Sequence, residues 1–288
     1  MIRGRPAGRM VVILAAALAI AACTSGGSSP SGSVAPSATS GGSPAAAPTG
    51  RTVGLTIYAA ASLKRALDRV EEAYAVAAPG TSLTVSTDSS AALETQIEQG
   101  APADVFLSAD TTNPNKLVDK GLTAGPAIDF AGNTLAIIVP TANPAGISSP
   151  ADLAKPGIKV IAAGDAVPIT QYATQLVENL AGLPGYPAGY VAAYTANVAS
   201  KEDNVGAVLA KIEVGEGDAA IVYATDAKPS TKVTSIAVPR EANVPATYAG
   251  VVLKASAADD AAAAFMTWLT GPHGQAILAE LGFQAPGD

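Results

Sequence analysis

Residues 55–70 read Leu55-Thr56-Ile57-Tyr58-Ala59-Ala60-Ala61-Ser62-Leu63-Lys64-Arg65-Ala66-Leu67-Asp68-Arg69-Val70, and the period of the apolar residues changes within them. Leu55 to Ala59 is a short apolar run with β-formers, the pattern of a strand. From Leu63 onward the apolar positions are Leu63, Ala66, Leu67, Val70 and Tyr74, which is the i, i+3, i+4 spacing of a helix. A strand that passes through a few small residues into a helix is half of a βαβ unit, and the same alternation continues along the chain. Leu83 to Ser86 predicts a second strand; Ser90 opens a helix carrying Leu93 and Ile97, stopped by Gly100. Asp104 to Ser108 predicts a third strand, and Asn113 to Lys120 a short helix with Gly121 past its end. Such alternation points to an α/β fold with largely parallel sheets.

Further on, Thr134 to Pro140 predicts a strand crossing into a second lobe, where Ser149-Pro150 supplies an N-cap and a proline at the first helical position. Ile158 to Ala162, helices after Pro168 and around Val205 to Ile212, and a strand at Ala219 to Tyr223 continue the pattern. Thr247 to Leu253 is expected to return to the first lobe, followed by helices through Ala261–Leu269 and Gly274–Leu281. The expected organisation is therefore lobe I over 52–133 plus 247–288 and lobe II over 134–246. Strands crossing between two lobes make a hinge, and the cleft between them is the natural ligand site.

The segment before the body reads as an address. Arg3, Arg5 and Arg9 precede a short apolar run, Met10 to Ile20, about half the length needed to span a bilayer. Ile20-Ala21-Ala22-Cys23 resembles a bacterial lipobox, so residues 1–23 are expected to be a lipoprotein signal peptide with Cys23 lipidated. Residues 24–51 are almost wholly Ser, Gly, Pro, Ala and Thr, too poor in apolar side chains to fold, and are read as a tether. The expected location is extracytoplasmic, on the outer face of the cell membrane, held by the lipid alone. With one cysteine no intrachain disulfide is possible. The net charge of −7 argues against nucleic acid as a partner.

An inventory of reactive groups excludes the common hydrolytic and metal chemistries. The chain has one His, His273 in a Gly-Pro-His-Gly turn, and one Cys, so zinc sites of the His/Cys kind and Cys–His catalysis have no ligand set. The body contains no Gly-x-Ser-x-Gly elbow, no phosphate-binding Gly-x-x-x-x-Gly-Lys and no Gly-x-Gly-x-x-Gly. What recurs instead is a strand, a short loop with serine, and a helix start. Ser62 and Ser89-Ser90 each lie where an N-cap is expected, and capping alone accounts for them. The same junctions also offer free N–H groups, a positive helix end and a hydroxyl to an anion. Taken singly, the capping role is the commoner one.

Ala59-Ala60-Ala61-Ser62-Leu63, Ser89-Ser90 and the block Gln96-Ile97-Glu98-Gln99-Gly100-Ala101-Pro102-Ala103-Asp104-Val105-Phe106-Leu107-Ser108-Ala109-Asp110 closely resemble the periplasmic molybdate-binding protein (ModA) family. Gly132-Asn133-Thr134-Leu135, Gly164-Asp165, Val167-Pro168 with Tyr172, Ile221 to Ala227 and Gly282-Phe283 extend the likeness over nearly the whole body. The resemblance implies a fold like the type II periplasmic binding proteins: two α/β lobes joined by crossing strands with the ligand cleft between them. It implies a binding protein rather than an enzyme, without cofactor, that passes molybdate, and with it tungstate, to the permease of an ABC importer as a monomer. It also implies a site without cationic side chains or direct metal-ion ligands. Ser62 and Ser90 match the family's two serines, Tyr223 its tyrosine, and the backbone N–H groups of Val205 and Ile169 its two amides. Around Ile169 the chain departs from the family's run, with a shorter loop and Ile169-Thr170-Gln171 in place of small residues.

A site of donors suits a dianion that carries no proton. Phosphate near neutrality carries one and needs an acceptor, for which Asp88, Asp165 and Asp203 lie close to the loops concerned. Sulfate differs from molybdate in size alone. A secreted enzyme on the same scaffold and a surface lipoprotein acting as a sensor or adhesin are the readings from other classes.

Overall fold

The computed structural model describes residues 52–287; Cys23, the leader and the expected tether over 24–51 lie outside the described residues. Two five-stranded sheets carry the chain. The first sheet begins with β1 (Val53–Ala60), whose Leu55, Ile57 and Ala59 are fully buried while Thr56 and Tyr58 are half-buried, the two-residue period of a strand. A single 3-10 turn, Ala61–Leu63, leads into α1 (Lys64–Ala77). The stripe Ala66, Leu67, Val70 and Tyr74 faces the core. β2 (Thr81–Asp88), α2 (Ser90–Glu98), β3 (Val105–Ser108) and α3 (Thr112–Asp119) follow, then β4 (Ile128–Asn133).

One residue, Thr134, separates β4 from β5 (Leu135–Pro140), which belongs to the second sheet. That half continues with β6 (Val160–Ala163), α4 (Pro168–Ala181), α5 (Tyr190–Ala196), β7 (Val198–Glu202), α6 (Val205–Glu213), β8 (Ala219–Tyr223), the single turn α7 (Ala224–Ala227) and β9 (Val233–Ile236). The chain then returns through β10 (Ala246–Val252) to the first sheet and ends in α8 (Asp259–Thr270) and α9 (Pro272–Glu280). The strand orders are β2-β1-β3-β10-β4 and β7-β6-β8-β5-β9.

Both sheets are mixed, where the alternation predicts largely parallel ones. β10 runs antiparallel to β3 and β4, and β5 antiparallel to β8 and β9. These are the two strands that enter a sheet directly from the other one. A parallel neighbour needs a helical crossover in its own layer, and neither strand has one. The remaining pairs, β1 with β2 and β3 and β6 with β7 and β8, are parallel and do have such crossovers.

α8 closes the first sheet. Tyr74 of α1 meets Phe265 and Trp268 of α8 edge-on, at ring centroid distances of 5.2 and 5.1 Å. Gly250 in β10 makes that approach possible, because a Cβ there would lie 2.7 Å from Leu107 and 2.9 Å from Met266. No helix among the described residues is long and apolar enough to cross a membrane.

Candidate functional site

The two serines are not the caps that the strand–loop–helix pattern suggests. Ser62 lies inside the 3-10 turn and caps nothing; its Oγ stands 2.9 Å from the Tyr248 hydroxyl. At α2 the cap is Ser89, whose Oγ accepts the Ala92 N–H, while Ser90 is the first helical residue and accepts the Ala109 N–H at 3.0 Å. Accepting from Ala109 uses the oxygen of Ser90 and leaves its hydroxyl proton free to donate. Ser62 is served in the same way. Asn133 Nδ2 donates to the Tyr248 oxygen (3.3 Å); the Tyr248 proton has Ser62 Oγ as its acceptor, and when it is given there the Ser62 proton is left over. Burial raises the Tyr248 pKa well above the ordinary phenol value, which keeps that donor protonated.

The turn that presents the Ala109 amide is itself pinned. Asp110, buried after β3, accepts the Ser108 hydroxyl (2.7 Å), the Asn113 backbone N–H (3.0 Å) and the Asn113 side-chain amide (2.8 Å). A buried carboxylate survives there because donors surround it.

From the second sheet come two helix starts and a strand end. α6 is capped by Asn204, whose Oδ1 accepts the Ala207 N–H at 3.0 Å, and Val205 is its first residue. α4 begins at Pro168 with no side-chain cap, and Ile169 follows. First-turn amides have no helical acceptor, so the N–H groups of Val205 and Ile169 are open to a partner from outside. Tyr223 ends β8. Its hydroxyl is buried and has no hydrogen-bond partner. Burial first, then the neighbouring Tyr248, holds its pKa well above the usual value, so the phenol stays protonated and is a donor in search of an acceptor. The Asp226 carboxyl, one turn beyond, also has an unpartnered buried oxygen, and burial pushes its pKa up to about 7.

Ser62, Ser90, Ile169, Val205 and Tyr223 all line one small pocket of about 10 Å³, room for a compact group only. Its wall also includes Asp88 and Asn204, and no Lys, Arg or His. An adjoining open groove of about 470 Å³ shares Ala61 and Ser62 with the pocket and is lined in part by Lys64, Arg65 and Lys228. The same groove is lined by Asp68, Asp226 and Glu280, with Lys64 paired to Asp68 at 3.0 Å, so its charges balance. Among the described residues no group of three or more His, Cys, Asp or Glu is placed to hold a metal ion.

Sequence reasoning missed the support layer: Tyr248, Asn133, Asn204 and the pinned Asp110. Asn204 had a legible signal, an Asn directly before an apolar helical run. Tyr248 had none, because only the fold brings β10 beneath the Ala61–Leu63 turn.

Comparison with known proteins matches residues 55–284 to the model of the bacterial extracellular solute-binding proteins. The molybdate-binding protein ModA of Mycobacterium tuberculosis is 37% identical over 248 residues, covering 85% of this chain and 90% of that one. The substrate-binding domain of a molybdenum ABC transporter from Clostridium difficile superposes with a TM-score of 0.61 at 30% identity, covering 81% and 99%. The sulfate-binding protein SubI of M. tuberculosis shares the fold with a TM-score of 0.70 at 22% identity, covering 82% and 88%. Fold similarity thus embraces binders of different oxyanions, while sequence identity favours one branch. The chain belongs to the bacterial extracellular solute-binding proteins, in the molybdate-binding protein (ModA) family of ABC-transporter receptors.

Proposed function

We propose that this protein captures molybdate, and with it tungstate, and delivers it to the permease of an ABC importer while tethered to the cell membrane through a lipid on Cys23. The single observation behind the ligand is the Tyr223 hydroxyl, a protonated donor without an acceptor, buried in a pocket otherwise furnished with free serine protons and helix-start amides. Ser62, Ser90 and Tyr223 would donate through side chains, Ile169 and Val205 through the backbone. A tetrahedral dianion offers four oxygens that only accept, which satisfies every one of these groups. Hydrogen bonds to a charged partner contribute about 1.5–3 kcal/mol each. Five of them support sub-micromolar affinity (about −8 kcal/mol) after the costs of desolvation and closure. The pocket is far smaller than the sites of hundreds of Å³ that drug-sized ligands occupy, which favours a compact ligand.

A second reading has one observation in its favour. The Asp88 carboxylate is part of the pocket wall and is an acceptor, as a protonated oxyanion such as hydrogen phosphate requires. Calorimetric titration of the purified protein with molybdate, tungstate, sulfate and phosphate separates the two. Heat from molybdate and tungstate at micromolar concentration or below is expected. Binding of phosphate or sulfate alone overturns the reading. Lipidation is tested separately, by the mass of the protein recovered from membranes, which is expected to exceed that of the polypeptide starting at Cys23 by a diacylglyceryl group; an unmodified mass overturns it.

A further inference from the structure

The cleft is bridged at its far side by two residues to which the site above gives no ligand. β4 and β5 are joined directly through Thr134, so the crossing lies at the β4 end of the first sheet and, through β5, next to the β9 end of the second. β2 and β7 are the edge strands at the opposite ends. Asp88 closes β2, and Asn204 follows β7 by two residues. Asn204 Nδ2 donates to Asp88 Oδ1 at 3.1 Å, and the same oxygen accepts the Ser89 N–H at 2.7 Å. The amide of Asn204 is not free to turn over, because its oxygen caps α6 through Ala207.

Only two side-chain to side-chain hydrogen bonds among the described residues join the first-sheet half of the chain to the second. One is Asn133 to Thr225, beside the crossing strands; the other is Asn204 to Asp88. We propose that Asp88 and Asn204 form a clasp that keeps the two walls of the pocket together, setting how long the oxyanion is held rather than how fast it is captured. The proposal rests on the oxyanion reading above for its ligand, but the clasp is a property of the closed chain itself.

The kinetics follow from where the bond exists. It forms only when the walls meet, so it lowers the free energy of the closed state and leaves the open state untouched. Ligand enters the open state, so capture changes only by the share of ligand-free chains that the clasp holds closed, a smaller factor than its effect on escape. Escape requires the bond to break. The clasp also aligns donors on both sides, since Asp88 holds the amide before Ser90 and Asn204 holds the helix start at Val205. Two N–H donors on one oxygen of Asp88 offset part of its repulsion toward a bound dianion.

The test uses the full chain with Asp88→Ala, Asp88→Asn, Asn204→Ser and the double variant Asp88→Ala/Asn204→Ser. Serine preserves a helix cap but is too short to reach Asp88. Molybdate release is followed by mixing loaded protein with excess catechol, which colours on chelating the metal. Asp88→Ala and Asn204→Ser are expected to release about tenfold faster or more, with association rates within about threefold of the parent. The double variant is expected to be no faster than the quicker single one, and Asp88→Asn, which keeps an acceptor oxygen, to fall within about threefold of the parent. Parental release in both single variants overturns the clasp. So does strictly multiplicative acceleration in the double variant, or an Asp88→Asn protein as leaky as Asp88→Ala. Small-angle scattering of the ligand-free proteins supplies an arm that needs no molybdate: loss of the clasp is expected to expand the protein, and identical curves for parent and variants overturn it. A parent that binds no molybdate at all fails the functional reading, while the scattering arm still decides the clasp.

Discussion

The two walls of the pocket are prepared for a ligand in opposite ways. On the first-sheet side each wall group is held by a hydrogen bond within the protein, Ser62 through Tyr248 and Asn133, Ser90 through the Ala109 amide, and the turn beneath them through Asp110, with only the serine protons left to give. On the second-sheet side the Tyr223 hydroxyl and one oxygen of Asp226 are buried without partners, and the amides at the starts of α4 and α6 have no helical acceptor. Leaving a buried polar group unmade costs about 1–3 kcal/mol. The first wall is therefore a held scaffold, and the second carries at Tyr223 an unused donor that the proposed anion would engage. Stability and binding should be coupled on one side of the cleft and opposed on the other.

The largest effect is expected at Ser90. Ser90→Ala removes a proposed ligand donor and also strands the buried Ala109 N–H, so molybdate affinity should fall ten- to a hundredfold, the loss of about 1.5–3 kcal/mol, and the ligand-free protein should melt earlier. Calorimetry and thermal denaturation of the same preparation test the pair. Lost affinity with an unchanged melting temperature would mean that the Ala109 amide does not depend on Ser90 for its hydrogen bond.

Asp226 probes the other wall through pH. Its folded pKa is about 7 against an ordinary 3.8, raised by burial, with a hydrogen bond from the Tyr223 backbone pulling the other way. Between those values the folded state holds a proton that the unfolded state has released, so stability falls as pH rises from about 4 to 7 and levels off above. Asp226→Asn removes that slope. The variant should match the parent near pH 4 and exceed it by a few kcal/mol, in order of magnitude, at pH 8. Denaturant unfolding at the two pH values measures it; equal stability gaps at both would show that the buried carboxyl is not under strain.

Much of this fold was legible because its central elements obey one period each. Leu55-Ile57-Ala59 alternates as a strand, and Ala66-Leu67-Val70-Tyr74 repeats as a helix, and both appear as expected. Of the edge strands, β2 was marked by Leu83 to Ser86, but β7 and β9 were not. Val198–Glu202 reads Val-Ala-Ser-Lys-Glu, and its residues are at best half-buried, so no apolar run marks it. β9 is likewise short and mostly solvent-facing. All five proposed donors were reached from the family resemblance, and they line one pocket. Their support was not visible, because Ser62 to Tyr248 spans 186 positions and Asp88 to Asn204 spans 116. Local pattern was right about a cap at Ser89 but not about Ser62, and it could not separate Ser89 from Ser90 until the Ala109 amide is seen on Ser90.

Tyr223→Phe should split binding from stability. The hydroxyl makes no hydrogen bond in the ligand-free protein, so its removal takes nothing from the fold and relieves a buried unsatisfied group. The melting temperature should stay level or rise, while affinity for molybdate drops about tenfold or more. A variant that melts earlier would place a hidden partner on this oxygen.

The smallest change in affinity is expected at Val205, where the wall donates through the backbone. The side chain is buried among the residues of the second-sheet core, and shortening it opens a void, so Val205→Ala should cost about 1–2 kcal/mol of stability. The N–H stays where Asn204 and the helix axis put it, and alanine favours the helix if anything. Affinity should then remain within about threefold of the parent, even as the melting temperature falls, the mirror image of Tyr223→Phe. A tenfold loss of molybdate affinity in Val205→Ala, measured well below its melting temperature, would mean that the valine side chain shapes the pocket. The division of labour between hydroxyl donors and backbone donors would then have to be redrawn around pocket size instead.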